Sequence, residues 1–248
     1  MSRISCCPRA AQRIATFSKK VGRGINRHRM IEEGDRILIS VSGGKDSLAL
    51  CLALAERRKW VPLRYELEAL FIDWREYPAG RANLERLQSF LEGLGISFRV
   101  VEASIFPVSY GKSFNCYICS RNRKRILFQE AEKRGFAKIA LGHHLDDVIE
   151  TTLMNLFFRG QFATMMPVQS FFQGRFHIIR PMCEVEEKDV DRLMKVIALP
   201  AFSIDCPRRA ENQRSFFKDL IRRAGRINRH VKENIYRAPW RINRDYLP

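Results

Sequence analysis

Hydrophobic residues follow two alternating spacings through the middle of the chain. Short runs of consecutive β-branched and aliphatic residues predict buried strands. The stretches that follow them repeat apolar residues every three or four positions, which predicts helices. The predicted strands cover 36–42, 67–73, 97–103, 138–142 and 176–181. The predicted helices between and after them cover 45–58, 80–93, 120–134, 145–158 and 186–198.

Strands that alternate with helices in this way form βαβ units around a parallel sheet. We therefore expect an α/β fold, a doubly wound and mostly parallel sheet of five strands. Further helices are predicted at about 10–31 and 210–236, flanking the sheet. We expect three parts: a basic helical segment at 1–35, a catalytic domain at 36–206 and a basic helical tail at 207–248.

Charge changes this picture at both ends of the chain. The 248 residues carry 44 Lys and Arg against 27 Asp and Glu, a formal net charge of +17. Residues 1–36 hold nine basic and three acidic residues, and 207–248 hold twelve and four, so the ends carry +6 and +8. Such an excess favours a polyanionic partner, although two solvated helical faces would give the same counts.

The C-terminal tail also mixes arginines with aromatic residues. Tyr236, Trp240 and Tyr246 lie among them in the stretch RRAGRINRHVKENIYRAPWRINRDYLP. Arginine for phosphates and aromatic rings for stacking suit single-stranded or looped RNA. For Trp240 the alternative is that its ring anchors the C-terminal tail onto the sheet body.

The sequence contains no apolar run near the ~18 residues that would span a membrane. Its first twenty residues, MSRISCCPRAAQRIATFSKK, lack the apolar core of a signal peptide. We therefore expect a cytoplasmic protein without a membrane partner. In that compartment its seven cysteines are expected to be metal ligands or core residues and not disulfides.

A polar loop, SGGKDS at 42–47, lies between the first strand and its helix. Gly43 and Gly44 allow backbone N–H groups to approach an anion without a Cβ in the way. The helix N-terminus adds partial positive charge, and Ser42, Ser47 and Lys45 add hydroxyls and a full charge. The sequence therefore predicts a phosphate-binding loop, although its spacing is not that of a Walker A loop.

A second candidate is the pair Cys116 and Cys119, spaced C-x-x-C. Two thiolates at this spacing can share one ion or cluster. A redox dithiol and half of a zinc site are the alternatives. The other cysteines are dispersed, at Cys6, Cys7, Cys51, Cys183 and Cys206, and we expect Cys51 to be a packing residue.

A third candidate is LGHHLDD at 141–147, where the fourth strand meets its helix. Asp146 and Asp147 could hold Mg²⁺ beside a triphosphate. His143 and His144 could contact phosphate or substrate, or be ordinary hydrogen-bonded polar residues.

SGGKDS closely resembles the PP-loop of the N-type ATP pyrophosphatases. Together with CYICSRNRKR, ALGHHLDDVIETTLMNLFF and RPMCEVEEKDV, it resembles the tRNA 2-thiocytidine synthetases over roughly residues 20 to 220. The resemblance implies cleavage of ATP between its α and β phosphates and adenylation of a substrate. It further implies a [4Fe–4S] cluster on Cys116, Cys119 and Cys206.

The chemistry of the motifs and the resemblance together predict roles for individual residues. Asp46 and Asp147 would be catalytic and hold Mg²⁺, and Arg123 would neutralise charge on the adenylated intermediate. The expected ATP contacts are Ser42, Gly43, Gly44, Lys45, Asp46, Ser47, Gly142 and His143, with Ile72 and Asp73 at the end of the second strand as weaker ones.

The implied reaction is adenylation of the C2 carbonyl of a cytidine in a tRNA anticodon loop, at position 32, followed by replacement of the oxygen with sulfur. The expected partners are tRNA, a cysteine desulfurase or other sulfur donor, and a second copy of the chain in a homodimer. The alternatives are a 2-thiouridine synthetase, a lysidine synthetase and a non-enzymatic RNA-binding protein that uses ATP as a switch.

Overall fold

The computed structural model describes residues 8–105, 116–197, 200–202 and 214–246, with the backbone alone at 116, 117 and 246. The helices are α1 (Pro8–Arg27), α2 (Lys45–Arg57), α3 (Arg81–Gly93), α4 (Cys116–Lys133), α5 (Leu145–Arg159), α6 (Glu187–Met194), α7 (Arg214–Ile227) and α8 (Val231–Arg237). The strands are β1 (Arg36–Val41), β2 (Glu66–Trp74), β3 (Ser97–Ala103), β4 (Lys138–Ala140), β5 (Val168–Phe171) and β6 (Phe176–Ile179). Two 3₁₀ turns, Ala238–Trp240 and Arg244–Tyr246, follow α8.

These strands form one sheet in the order β3-β2-β1-β4-β6-β5. All neighbouring pairs are parallel except β5 and β6, which are antiparallel. The mostly parallel α/β fold is confirmed. The chain leaves β1 toward β2 on one side and later returns to β4 on its other side, so the strand order reverses at β1. Ligands of such sheets bind beyond the carboxyl ends of the strands at this point.

The prediction of five strands was wrong, because β5 is a sixth. It has only four residues, VQSF, and two of them are polar, so it lacks the apolar run that marks the other strands. The turn to β6 gives no glycine signal at its first positions either. Phe172 and Gln173 adopt positive φ values of 51° and 56° before Gly174.

The core lies on both faces of the sheet. In β1, Ile37 and Ile39 pack with α1, α2 and α3 on one face, while Leu38 packs with α4 on the other. Successive residues of a strand point to opposite faces, so a strand covered on both sides is apolar at every position. The doubly wound arrangement is therefore also confirmed.

The helices at both ends of the chain contribute to this core. Phe17 and Val21 of α1 are buried, and so are Phe217 of α7 and Tyr236 of α8. The division at residues 35 and 206 stays a prediction, since residue 206 lies outside the described ranges. Within those ranges, no helix is long and apolar enough to cross a bilayer.

Candidate active site

A cavity of about 420 Å³ lies beyond the carboxyl ends of β1 and β4. Three stretches that are far apart in sequence line it: the end of β1 with its loop and helix, the N-terminal half of α4, and the β4–α5 connection. The lining residues are Ser40, Ser42, Asp46, Ser47, Cys119, Ser120, Arg123, Lys124, Leu127, Leu141, Gly142, His143 and Asp147. The structure thus brings the three predicted motifs together around one cavity.

The 42–47 loop is held by its own serines. The Ser42 N–H donates to Ser47 Oγ at 3.2 Å, and the Ser47 hydroxyl donates to the Gly44 carbonyl at 2.9 Å. Gly44 is the N-cap of α2, and no side chain caps the helix there. The first N–H groups of a helix need an acceptor, and an anion can supply it. This loop therefore fits the phosphates of ATP.

Positions 43 and 44 of the loop are glycine for different structural reasons. Gly43 has a φ of +80°, and a Cβ on it would lie 2.5 Å from the ring of Phe202. Gly44 has a φ of −75°, and its nearest contact would be Ser42 Oγ at 3.4 Å. The fold requires glycine at 43, whereas at 44 only a ligand close to the backbone would require it.

Gly142 brings the third motif against the first. A Cβ there would lie 3.1 Å from Ser47 N and Cα and from the Asp46 carbonyl carbon. Only glycine allows this approach without a backbone shift, and the approach places His143 and Asp147 beside the phosphate loop.

Lys45 points away from the cavity. Its ammonium lies 3.1 Å from Glu187 Oε1 and 2.5 Å from Asp191 Oδ1, both in α6. Although burial alone would lower the Lys45 pKa, hydrogen bonds to these carboxylates raise it. Its role as an ATP contact stays a prediction.

Asp46 lies beside the loop with one carboxylate oxygen unsatisfied. Its Oδ1 is buried and has no hydrogen-bond donor among the residues that the structure describes. Burial raises the pKa of Asp46, while His144 and Lys45 oppose the shift. A buried carboxylate oxygen without a donor, next to a phosphate loop, is suited to a hard cation such as Mg²⁺.

His144 and Asp147 cap α5 reciprocally. The Asp147 N–H donates to His144 Nδ1 at 3.3 Å, and the His144 N–H donates to Asp147 Oδ2 at 3.1 Å. Since Nδ1 accepts, the ring proton lies on Nε2, which faces Asp46 Oδ1 at 4.0 Å. His144 is therefore a helix cap, whereas His143 lines the cavity. Burial lowers the pKa of His143 to about 4, so this ring is neutral at pH 7.

The two aspartates of this motif face different ways. Asp147 lines the cavity, and its Oδ1 accepts from Arg214 Nη1 of α7 at 2.7 Å. Asp146 caps α6 by accepting from the Glu187 N–H at 2.7 Å, and it pairs with Lys232 of α8 at 2.5 Å. Only Asp147 is placed to act on a ligand in the cavity.

The N-terminal half of α4 contributes Cys119 and two basic side chains to the cavity. Arg123 lies over the ring of Trp74 at 5.9 Å, which orients its guanidinium at the cavity wall. Partial burial and the nearby Arg180 lower the pKa of Lys124. Cys116 is the first residue of α4, three residues before Cys119.

The third predicted cluster ligand, Cys206, lies outside the described residues, and so does the side chain of Cys116. Among the side chains that are described, no three or more His, Cys, Asp or Glu converge on one point. The residues present fit part of a cluster site, because Cys119 opens onto the cavity. The three-cysteine site itself stays a prediction.

Comparison with known proteins decides the family. The family model of the PP-loop domain matches residues 9–224, most of the chain. This chain belongs to the PP-loop family. Among its relatives is the tRNA-cytidine(32) 2-sulfurtransferase of Alkalilimnicola ehrlichii, 36% identical over 93% of this chain and 74% of the relative. The protein of the same name from Geobacter metallireducens is 35% identical, over 92% and 90%.

A solved PP-loop structure has the same fold. The U34-tRNA thiolase NcsA from Methanococcus maripaludis, determined with its [4Fe-4S] cluster, superposes with a TM-score of 0.73. The match covers 92% of this chain and 78% of NcsA at 23% identity, and therefore supports the fold.

Other expected PP-loop residues lie elsewhere in the structure. Ile72 is buried in the core, and Asp73 accepts from the Ala79 N–H at 2.8 Å, so neither side chain lines the cavity. Their backbone contact with ATP stays a prediction. Cys51 is fully buried, as expected of a packing residue, and burial raises its pKa to about 12. Cys183 is buried with a similar pKa.

Sequence reasoning missed Ser40, Ser120 and Lys124, which also line the PP-loop cavity. A signal for two of them exists in the sequence. Ser120 and Lys124 are four residues apart, as helix neighbours are, and they flank Cys119 and Arg123 on the same face. No such signal identifies Ser40, which lies two residues before Ser42 in β1.

Proposed function

We propose that this chain is an ATP-dependent tRNA thiolase that replaces the C2 oxygen of an anticodon-loop cytidine with sulfur. The observation that carries the proposal is the single cavity at which the PP-loop, Cys119 and Asp147 meet. A phosphate site for activation and a thiol for sulfur chemistry belong together in a thiolase. The names of the relatives, tRNA-cytidine(32) 2-sulfurtransferases, support cytidine 32 as the target.

Activation takes place at the loop. The N–H groups at the start of α2, with the hydroxyls of Ser42 and Ser47, bind the β and γ phosphates. The base's C2 oxygen attacks the α phosphorus, the bond to the bridging oxygen breaks, and pyrophosphate leaves. The product is an O-adenylated base. Its C2 oxygen, a poor leaving group before activation, can now leave as part of AMP.

Charge in this step is managed by residues on the cavity walls. Asp46 and Asp147 would hold Mg²⁺, which withdraws charge from phosphoryl oxygens when bound. Arg123 and Lys124 also line the cavity, where they would stabilise negative charge on the α-phosphoryl oxygens during the attack and on the adenylated intermediate. His143 is neutral and can donate or accept one hydrogen bond without adding charge.

The second step exchanges oxygen for sulfur. Cys116, Cys119 and Cys206 would hold a [4Fe–4S] cluster, which would supply a carrier for the incoming sulfur when bound. Sulfide adds at C2, and AMP departs with the former C2 oxygen. Where the donor delivers persulfide sulfur, a thiol reductant supplies the two electrons that convert it to sulfide. The sulfur comes from a cysteine desulfurase or another donor, and the reaction takes place in the cytoplasm. A homodimer is part of the same proposal.

Product analysis with labelled ATP tests the activation step. We expect AMP and pyrophosphate, formed only with tRNA present, whereas ADP and free phosphate would exclude adenylation. Asp147→Asn should lower turnover roughly tenfold or more, since it removes a cation ligand at the reacting phosphate. Asp146→Asn is the matched control, and it should lower thermal stability through the α6 cap while folded protein keeps its turnover.

A further inference from the structure

Four phenylalanine rings meet where the last turn of α5 lies against the first turns of α7. Phe217 is fully buried at their centre. Around it stand Phe157, Phe158 and Phe216, at ring-centroid distances of 5.6, 5.4 and 5.1 Å. These three rings are 57%, 55% and 57% exposed, and we call them the phenylalanine surface.

Three adjacent rings that each keep more than half their area in water require an explanation. Exposing apolar area costs free energy, and contiguous apolar patches on soluble proteins mark contact sites. All three rings meet Phe217 edge to face, at interplanar angles of 83°, 77° and 84°. Each of the three rings therefore packs against Phe217 and still keeps more than half of its residue's area exposed.

The charges beside the surface indicate what it contacts. Helix α7 carries five Lys and Arg but one acidic residue, Asp219. Arg223 lies two turns after Phe216 on the same face of α7, and its side chain is 74% exposed. Arg159, also exposed, follows Phe158 directly. Aromatic rings flanked by arginines bind unpaired nucleotides, because bases stack on the rings and guanidinium groups contact phosphates.

A second copy of the chain fits this surface less well. A symmetric contact here would bring two basic α7 helices together, in a protein whose net charge is +17. Like charges across an interface oppose association. An RNA has the complementary charge.

We propose that the phenylalanine surface stacks unpaired bases of the RNA loop that carries the reacting cytidine. Asp147 in the first turn of α5 lines the cavity, and Phe157 and Phe158 lie ten and eleven residues further along. At 1.5 Å per residue the surface is about 15–17 Å from the cavity, so it holds neighbours of the reacting base. This inference rests on the proposed function, because it assigns the site at which that substrate's loop is held.

Of the three aromatic residues that the sequence suggested for stacking, Tyr236 and Trp240 pack within the protein, and the side chain of Tyr246 lies outside the described residues. Tyr236 is buried, and its hydroxyl lies 3.2 Å from His28 Nε2. Trp240 is half-exposed but packs on Tyr236 at 5.4 Å and near His28 at 6.4 Å. Both rings lie beside His28, the residue that follows α1, which favours an anchoring role over stacking for Trp240.

The test measures RNA affinity of full-length variants by fluorescence anisotropy, at one salt concentration. Phe158→Leu and Phe216→Leu keep an apolar side chain but remove the ring. Each should raise the Kd for a synthetic anticodon stem–loop about tenfold. Phe216→Tyr keeps an aromatic ring and should have the Kd of the parent. Phe172→Leu is the matched control, because Phe172 is 63% exposed but its ring packs against Phe128 and Phe176.

A duplex RNA of equal length should bind all variants alike, since its bases are not available for stacking. Unchanged affinity of both leucine variants for the stem–loop would overturn the proposal, as would an equal decrease in affinity for the duplex. A shift from dimer to monomer in light scattering, with RNA affinity unchanged, would assign the surface to a second copy instead. The parent chain is assayed in parallel for formation of a thiolated nucleoside. If the nucleoside forms but the leucine variants bind RNA as the parent does, only the stacking proposal is excluded. If the nucleoside does not form, the proposed function is excluded.

Discussion

Gly43 and Gly44 show how adjacent residues of one motif serve the fold and the ligand separately. The Gly43 carbonyl accepts from the Phe202 N–H at 3.0 Å, and the Phe202 ring occupies the space that a Cβ on Gly43 would need. Gly44 has room for a Cβ and an ordinary φ. The motif therefore contains one glycine that the protein itself requires and one that only a bound phosphate explains.

Alanine at each position should separate these two effects. Gly43→Ala should lower the free energy of unfolding by about 1–2 kcal/mol or more, from the left-handed conformation and the clash with Phe202. Gly44→Ala should leave the melting temperature of the protein alone nearly unchanged but reduce the rise in melting temperature that ATP causes. Thermal melts with and without ATP measure both. An ATP-induced rise in Gly44→Ala equal to that of the parent would show that phosphate does not approach this backbone.

Glu150 is a buried acid one turn beyond Asp147. It is 1% exposed, its Oε1 has no hydrogen-bond donor among the described residues, and Lys218 Nζ lies 4.0 Å away. Burial raises the pKa of Glu150 to about 7, against 4.5 for an ordinary glutamate. The fold therefore favours the protonated acid.

This shift makes stability fall as pH rises. Between about pH 4.5 and 7 the unfolded chain loses this proton before the folded protein does. The free energy of unfolding therefore decreases over that range, and the decrease is complete above it. Glu150→Gln should therefore be more stable than the parent at pH 8, by on the order of 3 kcal/mol, since the folded and unfolded pKa values differ by about 2.5 and each pKa unit corresponds to about 1.36 kcal/mol. The difference should largely disappear at pH 5. Urea unfolding of both proteins at the two pH values measures it, and an equal difference at both would contradict a protonated Glu150.

At the scale of elements, α7 serves both the core and the surface. Phe217 and Ile221 are buried on its inner face, and Arg214 binds the cavity residue Asp147. Arg222 and Arg223 point outward and pair only weakly with Asp219 along the helix. Deleting α7 to test RNA binding would therefore also expose the core, so the test must change its outer face alone.

Reversal of the outer charges provides that test. With Arg222, Arg223 and Arg226 replaced by Glu, tRNA affinity should fall, and the salt dependence should decrease by about one unit of slope for each phosphate that the protein no longer neutralises. ATP affinity should not change. The control reverses Arg81, Arg86 and Lys133, which are exposed on α3 and α4. Filter binding at several salt concentrations measures both sets, and an equal decrease in affinity for the two would show that only net charge matters.

The sequence predicts elements well where a hydrophobic period is long, as in α2 and β2, and poorly where it is short. Strand β5 was missed because Gln169 and Ser170 interrupt its pattern, and pairing with β6 compensates for that. The site motifs and their common sheet edge could be predicted, because parallel strands end together. The directions in which the side chains point could not be predicted. Lys45 turns to α6 and Asp146 to the α6 cap because of partners that are far away in the chain.

At the scale of the whole molecule, three distant stretches and the C-terminal helices form one working unit. The PP-loop and the β4–α5 connection meet through Gly142, and α4 closes the cavity with Cys119 and Arg123. Arg214 then connects the cavity to α7, whose outer side carries the basic charge. In the proposed mechanism, activation, sulfur transfer and RNA binding are thus arranged around the carboxyl end of a single sheet.

Mass spectrometry of tRNA nucleosides tests this account most directly. The chain is expressed in a bacterial strain whose tRNA lacks 2-thiocytidine, and the anaerobically purified protein should contain about four irons per chain. We predict that 2-thiocytidine appears with the parent and with Cys51→Ala, whose cysteine is a packing residue, and disappears with Cys116→Ala, Cys119→Ala or Cys206→Ala. Loss of activity in Cys116→Ala and Cys119→Ala but not in Cys206→Ala would exclude Cys206 as the third ligand. No 2-thiocytidine with the parent chain, or undiminished 2-thiocytidine with Cys119→Ala, would contradict the account.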